Sequence, residues 1–430
     1  MSELEYVVKH AGLTPKRLLK RITRRGFGAS VLSGLAGAAA SRLISTPSVA
    51  AAGADFTIAI IPDPQFLAES CPDNLGGYYA AMMQWIAGNK NIVLTSSKTS
   101  FEANIKAVVG VGDCVNQTAG THEYTNAQRA WTILDKNGIA FTTPPGNHDY
   151  SNRPSSRSKL GAQFATGYFS ASQRSSVYGS GIDLGGGDMA YWVGSHDTTG
   201  ANTAVKFVVS GIKLLVLAMD FFAGSAAWSW AHDVMLAYPD CECYITTHAW
   251  LTMKGKQFER TDGYGPDAYA MAAAPYSNSA AEAWSTIGVK TWSHLFGIFG
   301  GHDIFGGHNS DPQSPAWYWQ QVPVKSDSSR GQTVHQLFVN SQQLDEGCGM
   351  SRSRASGAGQ IASVFLLSRR PALGLLEGRM ISTQSGDWFE SRSASFPGGT
   401  SWSSSETLLF SVPFAGLRKE RTPHPVQGPT

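Results

Sequence analysis

Five short polar clusters each close an apolar run of strand length: Asp63-Pro64-Gln65, Gly112-Asp113, Gly146-Asn147-His148-Asp149, Thr247-His248 and Gly301-His302-Asp303. Nothing else in this 430-residue chain restricts its fold so strongly. An apolar run that ends in Asp, Asn or His sets a metal-binding or proton-carrying side chain at the tip of a buried strand, where α/β proteins build their sites. The runs Phe56 to Ile61, Ala107 to Val111, Ile139 to Thr143, Cys243 to Thr247 and Phe296 to Phe299 each lead into one cluster, and Lys213 to Met219 ends at Asp220.

Helical patterns separate these runs. Thr125 to Asn137 carries Ala127, Ala130, Trp131 and Leu134 at helical spacing and stops at Asn137-Gly138. Ser225 to Tyr238 carries Ala227, Trp230, Val234 and Ala237 and stops before Pro239, and Tyr78 to Ala87 reads as a further helix. Strands alternating with helices predict an α/β layered core. After His308 the pattern changes: Val334–Asn340, Ala362–Ser368, Leu375–Thr383 and Thr407–Val412 read as strands without helices between them. A second sheet of antiparallel strands, packed on the first, is the expectation.

Apolar residues make up 42% and charged residues 15%, a balance that fits a globular protein. A formal charge of +2 gives no nucleic-acid footprint, which needs a concentrated basic stripe. The one basic cluster lies at the N-terminus. There Lys16-Arg17, Lys20-Arg21 and Thr23-Arg24-Arg25-Gly26-Phe27 precede a small-residue apolar run, Gly28 to Ala40, and Ser48-Val49-Ala50 offers a cleavage pattern. This is the shape of a bacterial twin-arginine signal, so the translocation machinery is an expected partner and the mature protein is expected to be periplasmic or secreted. The apolar run is too short and too rich in Gly and Ala to be a stable membrane anchor. The expected organisation is a signal peptide over 1–52, one domain over 53–415 with insertions near 67–100, 151–202 and 252–287, and a disordered tail over 416–430. The insertions read as substrate walls or lids.

Five cysteines, Cys71, Cys114, Cys241, Cys243 and Cys348, show no C-x-x-C spacing. Cys71 and Cys348 are disulfide candidates, while Cys241 and Cys243 read equally well as buried free thiols. His122, His196, His232, His294 and His335 read as surface or helix-end residues, Asp220 as a loop or helix-capping residue, and Trp228, Trp230, Trp317 and Trp319 as packing.

Cleaving a phosphoester requires neutralising an anion and supplying a hydroxide near neutral pH. Two metal ions roughly 4 Å apart do both, and they need a carboxylate able to bridge them with Asp, Asn and His around it. The five clusters supply that set. In order and content they resemble the calcineurin-like metallophosphoesterase superfamily, whose motifs run D-x-H, G-D-x-x, G-N-H-[DE], a lone H and G-H-x-H. The likeness covers roughly residues 56 to 310, with family-like strands to about residue 390. It implies a four-layer α/β/β/α sandwich of two packed mixed sheets flanked by helices. It also implies an exported phosphohydrolase that cleaves phosphomonoesters or phosphodiesters by attack of a metal-bound hydroxide.

Carried over by position, the resemblance makes Asp113 the bridging carboxylate, with Asn147, His248 and His302 completing the second metal site and Asp63 holding the first. His148 faces the substrate, where it stabilises the phosphoryl group or protonates the leaving group. Gln65 stands where the family has His, as in an exported subset with a D-x-Q first motif, and Ile304 stands where it has the last His. Gln65 can bind through its amide oxygen, and His308 or Asp303 are candidate substitutes for the missing imidazole. The ions are drawn from Mn, Fe, Zn, Mg and Ca, and an oxygen-rich first site favours Mn, Mg or Ca over Zn. The alternative is a non-catalytic phosphate- or glycan-binding protein on a degenerate scaffold of this kind.

Overall fold

A computed structural model describes residues 55–69, 76–89, 93–95, 100–102, 104–118, 121–151, 160–269, 276–303, 317–325, 331–340, 363–370, 375–382 and 388–395. The twin-arginine segment, Cys71, Cys348, Ile304, His308, the strand expected at 407–412 and the expected tail lie outside the described residues.

The first described strand, β1 (Phe56–Ile61), is buried along its whole length. It leads into a short helix, α1 (Gln65–Glu69), then a longer one, α2 (Gly77–Asn89), and a small hairpin of β2 (Val93–Thr95) and β3 (Ser100–Glu102). Next come β4 (Ile105–Gly110), α3 (Thr121–Lys136) and the two-residue β5 (Phe141–Thr142). Helix α3 buries Ala127, Ala130, Trp131 and Leu134 on one stripe. It stops where the pattern predicts. Gly138 takes φ +63, and the amides of Gly138 and Ile139 return to the carbonyls of Asp135 and Leu134, the Schellman arrangement that favours glycine.

Residues 160–203 hold more structure than their Ser- and Gly-rich composition suggests. They form α4 (Ala162–Ala165), α5 (Ala171–Tyr178), β6 (Ile182–Gly185) and β7 (Asp188–Ser195), followed by β8 (Thr203–Val209). The chain continues through β9 (Ile212–Met219), α6 (Ser225–Ala237), β10 (Glu242–Thr247) and β11 (Leu295–Gly300). It ends, among the described residues, with β12 (Trp317–Lys325), β13 (Gly331–Val339), β14 (Ser363–Arg370), β15 (Leu375–Ser382) and β16 (Trp388–Ser395).

Two mixed sheets carry the fold. The first has the order β16-β15-β14-β1-β4-β5, the second β12-β13-β11-β10-β9-β8-β7-β6. Within the first, β1, β4 and β5 run parallel; within the second, β9, β10, β11 and β13 do. This corrects one expectation: the C-terminal strands do not make a sheet of their own. β12 and β13 extend the second sheet, while β14 crosses back to pair antiparallel with β1.

The layers follow from side-chain alternation. Along β1, Ala59 and Ile61 face a core shared with α2 and α3, while Phe56, Ile58 and Ile60 face the core between the sheets. Along β9, Leu214 and Val216 enter that same inter-sheet core, while Leu215, Leu217 and Met219 face α6. Helix, sheet, sheet and helix therefore stack in four layers. Strands buried on both faces are apolar throughout, which is why the runs were continuous in the sequence.

Candidate metal centre

Asp63 follows β1, Asp113 follows β4, Asn147 follows β5, His248 follows β10 and His302 follows β11. All five stand at the carboxyl ends of parallel strands, three on the first sheet and two on the second. The sheets are joined just below them, where the Thr246 hydroxyl donates to the Gly110 carbonyl at 2.7 Å.

Backbone geometry sets the tip of β4. Gly112 takes φ +96 and Asp113 φ +50, so two successive residues are left-handed, a conformation that costs a non-glycine residue about 1 kcal/mol or more. His302 is also left-handed, at φ +75. The glycines permit close approach. A Cβ on Gly146 would lie 2.1 Å from Asp113 Oδ1, and one on Gly112 would lie 2.9 Å from His248 Nδ1. The two loops interlock only because both positions lack side chains.

Asp149 locks them further. Its Oδ2 accepts the amides of Gly146 at 2.8 Å and Cys114 at 3.1 Å, tying the Asn147 turn to the Asp113 loop. The Asp149 side chain is buried, and burial beside Asp113 pushes its carboxyl well above the usual range. Asp113 itself accepts the His148 amide on Oδ1 at 2.8 Å. Burial pushes its carboxyl up, but the charges of His248 and His148 outweigh that and hold it below the ordinary value.

The imidazoles are fixed by their outer nitrogens. His248 Nδ1 donates to the Val111 carbonyl at 2.8 Å, so its Nε2 carries a bare lone pair. His302 Nε2 donates to the Tyr264 carbonyl at 3.2 Å, with the Tyr269 hydroxyl at 3.1 Å, so its Nδ1 is the bare atom. Those two bare nitrogens face each other at 3.1 Å. Asn147 Oδ1 lies 3.0 Å and Asp113 Oδ2 3.1 Å from the same His248 Nε2. With His248 neutral, four electron pairs converge there. Separations of about 3 Å are the edges of an octahedron with bonds of roughly 2.1 Å. A cation answers the arrangement, and a proton competes for the place. Burial alone would lower the His248 pKa, but the Asp113 carboxylate raises it to about 9. Burial and the neighbouring His248 charge lower that of His302 to about 3.

Asp63 joins the same cluster. One ligand atom each from Asp63, Asp113 and His248, all buried, fall within 4.8 Å of one another. Gln65, the first residue of α1, is buried, and its Oε1 has no hydrogen-bond partner. A buried amide oxygen without a donor costs about 1–3 kcal/mol, and a cation satisfies it. The buried carboxylates of Asp63 and Asp113 and the His248 imidazole are donors of the kind that hold a divalent metal ion. Asp303, a candidate substitute ligand, is turned elsewhere: its Oδ2 accepts the Met253 amide at 2.8 Å. His148 is half-buried, with Nδ1 donating to the Asn116 carbonyl at 2.7 Å.

Several residues around the centre carried no sequence signal. Asn340, at the end of β13, reaches Asp63. The rings of Phe221, Phe258, Tyr264 and Tyr269 stand 5.1 to 5.9 Å from the His302 ring and collar it. Tyr264 and Tyr269 belong to the segment expected as a substrate wall or lid, and they also fasten His302. Asp220 is a loop residue and does not cap α6, whose N-cap is Gly224, and its Oδ1 accepts the buried Tyr150 hydroxyl at 2.6 Å. Tyr150 and Asp220 line a cavity of about 360 Å³ together with Leu160, Asn202 and Tyr276. His335 is buried on β13 rather than at the surface. Cys114, Cys241 and Cys243 are free buried thiols.

No family model matches the chain. Among curated proteins it is 25% identical over 202 residues to the uncharacterized protein YvnB of Bacillus subtilis (strain 168), a stretch that is 47% of this chain and 13% of that protein. Among solved structures it is similar to a purple acid phosphatase from yellow lupin (Lupinus luteus) seeds. The sequence identity is 10% and the TM-score 0.43, over 80% of this chain and 54% of that one. The chain thus spans well under two thirds of each relative. No helix among the described residues is long and apolar enough to cross a membrane.

Proposed function

We propose that this protein is a metal-dependent phosphohydrolase acting on phosphomonoesters or phosphodiesters. The observation that carries the reading is the meeting of Asp113, Asn147 and His302 around His248 Nε2, with a ligand atom of Asp63 within 4.8 Å of Asp113 and His248. Asn147, His248 and His302 would hold one ion and Asp63 and Gln65 the other, with Asp113 between. Such a pair lowers the pKa of a water and neutralises phosphate oxygens. The residues do the rest. Val111 and Tyr264 fix the two imidazoles, so little reorganisation is required as charge develops. His148 has its Nδ1–H held by Asn116, which leaves Nε2 as the atom that gives a proton to the departing oxygen when the ring is imidazolium. The basic Arg24-Arg25 segment and the apolar run after it support export by the twin-arginine route, ahead of a periplasmic or secreted life.

The test is direct. Purified protein, stripped of metal and then supplied with Mn, Fe, Zn, Mg or Ca, is assayed on aryl phosphate mono- and diesters. Turnover is expected to appear with at least one metal and vanish with chelator. Tight binding of one ion and of phosphate, without turnover under any metal, would instead establish a phosphate-binding protein.

A further inference from the structure

We propose that Asn340 is a positioning residue of the first metal site, acting through the Asp63 carboxylate; this rests on the two-ion reading above. Asn340 comes directly after β13 and is only 2% exposed. Its Nδ2 lies 3.4 Å from Asp63 Oδ2 and 3.3 Å from the Asp303 carbonyl. The amide therefore has one hydrogen for each acceptor. Parallel pairing of β13 with β11, in the register Gly300 to Phe338, brings this residue level with His302.

The two acceptors belong to different sheets. Asp63 ends β1 of the first sheet, and Asp303 belongs to the loop that carries His302 on the second. One side chain thus ties both halves of the centre. A carboxylate at a strand tip can turn about its last bond, and that turn decides which oxygen lone pairs meet the ion. An N–H donated to one oxygen fixes the turn, as outer partners of ligating carboxylates do. The neutral amide suits the place because it adds no third negative charge to Asp63 and Asp113. The site has special need of such a hold, since Gln65 stands where an imidazole is expected and the Asp303 carboxylate is committed to Met253.

The experiment counts ions and measures stepwise affinities for Mn²⁺ on the full chain, by elemental analysis and titration calorimetry. Wild type, Asn340→Ala, Asn340→Ser and Asp63→Asn are compared. Wild type is expected to take two ions. In Asn340→Ala the weaker ion should lose about 10- to 100-fold in affinity while the tighter one keeps its own. Adding Asn340→Ala to Asp63→Asn should cause no further loss, because the amide acts through that carboxylate. Asn340→Ser, which retains a donor, should lose less. Wild type that binds no ion overturns the two-ion reading and this proposal with it. Two ions in wild type, with Asn340→Ala leaving both affinities unchanged or weakening both alike, overturns the proposal alone. Should Asn340→Ala fail to show a cooperative melt, Asn340→Ser is read in the same way. If neither variant folds, the asparagine holds the fold rather than the carboxylate, and the proposal falls.

Discussion

The two halves of the centre are held in place by different means. On the side of Asn147, His248 and His302, three atoms from separate loops lie within 3.1 Å of one nitrogen, and each imidazole is pinned by a main-chain carbonyl. At the end of β1 a side chain supplies one contact: the Asn340 amide stands 3.4 Å from Asp63, and Gln65, two residues further on, keeps a buried oxygen with no donor. Main-chain atoms cannot be re-aimed by a rotamer change, so the first half is rigid before any ion arrives. Side-chain amides can be, so the second half adapts. One tightly bound ion and one exchangeable ion is the expected outcome.

Asp113→Asn attacks what the halves share. It should remove roughly 10³-fold or more in turnover and weaken both ions, checked by kinetics and metal counting together. His148→Ala should cost about 10²- to 10⁴-fold in kcat on substrates with poor leaving groups, with both ions retained. Loss of metal in that variant would move His148 out of its role. Gln65→Ala should weaken only the exchangeable ion, by about tenfold, while Gln65→His should tighten it and so narrow the difference between the halves. Equal effects on both ions in a titration would erase the comparison.

The smallest effect on turnover, none, is expected at His335. This imidazole is 3% exposed, accepts the Trp319 indole N–H on Nδ1 at 3.2 Å and has no partner for Nε2. Burial lowers its pKa from 6.5 to about 4. Its folded form therefore resists a proton that the unfolded chain accepts. Stability is intact above pH 6.5 and falls as the pH drops from there towards 4, by about 3 kcal/mol in all. His335→Phe should flatten that acid limb in urea melts without moving kcat. An unchanged pH profile would show that the ring is not buried neutral.

Much of this was legible in the chain because burial on both faces writes a strand as an unbroken apolar run. β1, β4, β10 and β11 were read that way, and so were the residues at their tips. β5 is only two residues long, so Asn147 was found from its Gly-Asn-His-Asp cluster rather than from its strand. β6 and β7 went unread because half-exposed antiparallel strands near a sheet edge tolerate Gly and polar residues. The sheet membership of β13, β14 and β15 differs from the expectation, since local pattern says that a segment is a strand and not which neighbour it will meet. Asn340 is a single amide after an ordinary strand, and the collar of Phe221, Phe258, Tyr264 and Tyr269 is assembled from distant segments. Neither leaves a local trace. His335 was misread because a lone histidine in a strand looks the same whether it faces water or Trp319.

Consider finally that the candidate ligands are shared between the tips of two stacked sheets. Ions seated there would act as rivets across the seam of the sandwich. Any species that binds the native form and not the unfolded chain raises its melting point by mass action, by about 2.7 kcal/mol at a hundredfold excess over its dissociation constant. Resistance to heat would then rise and fall with the supply of trace metal, and a simple melt in chelator would report how full the centre is.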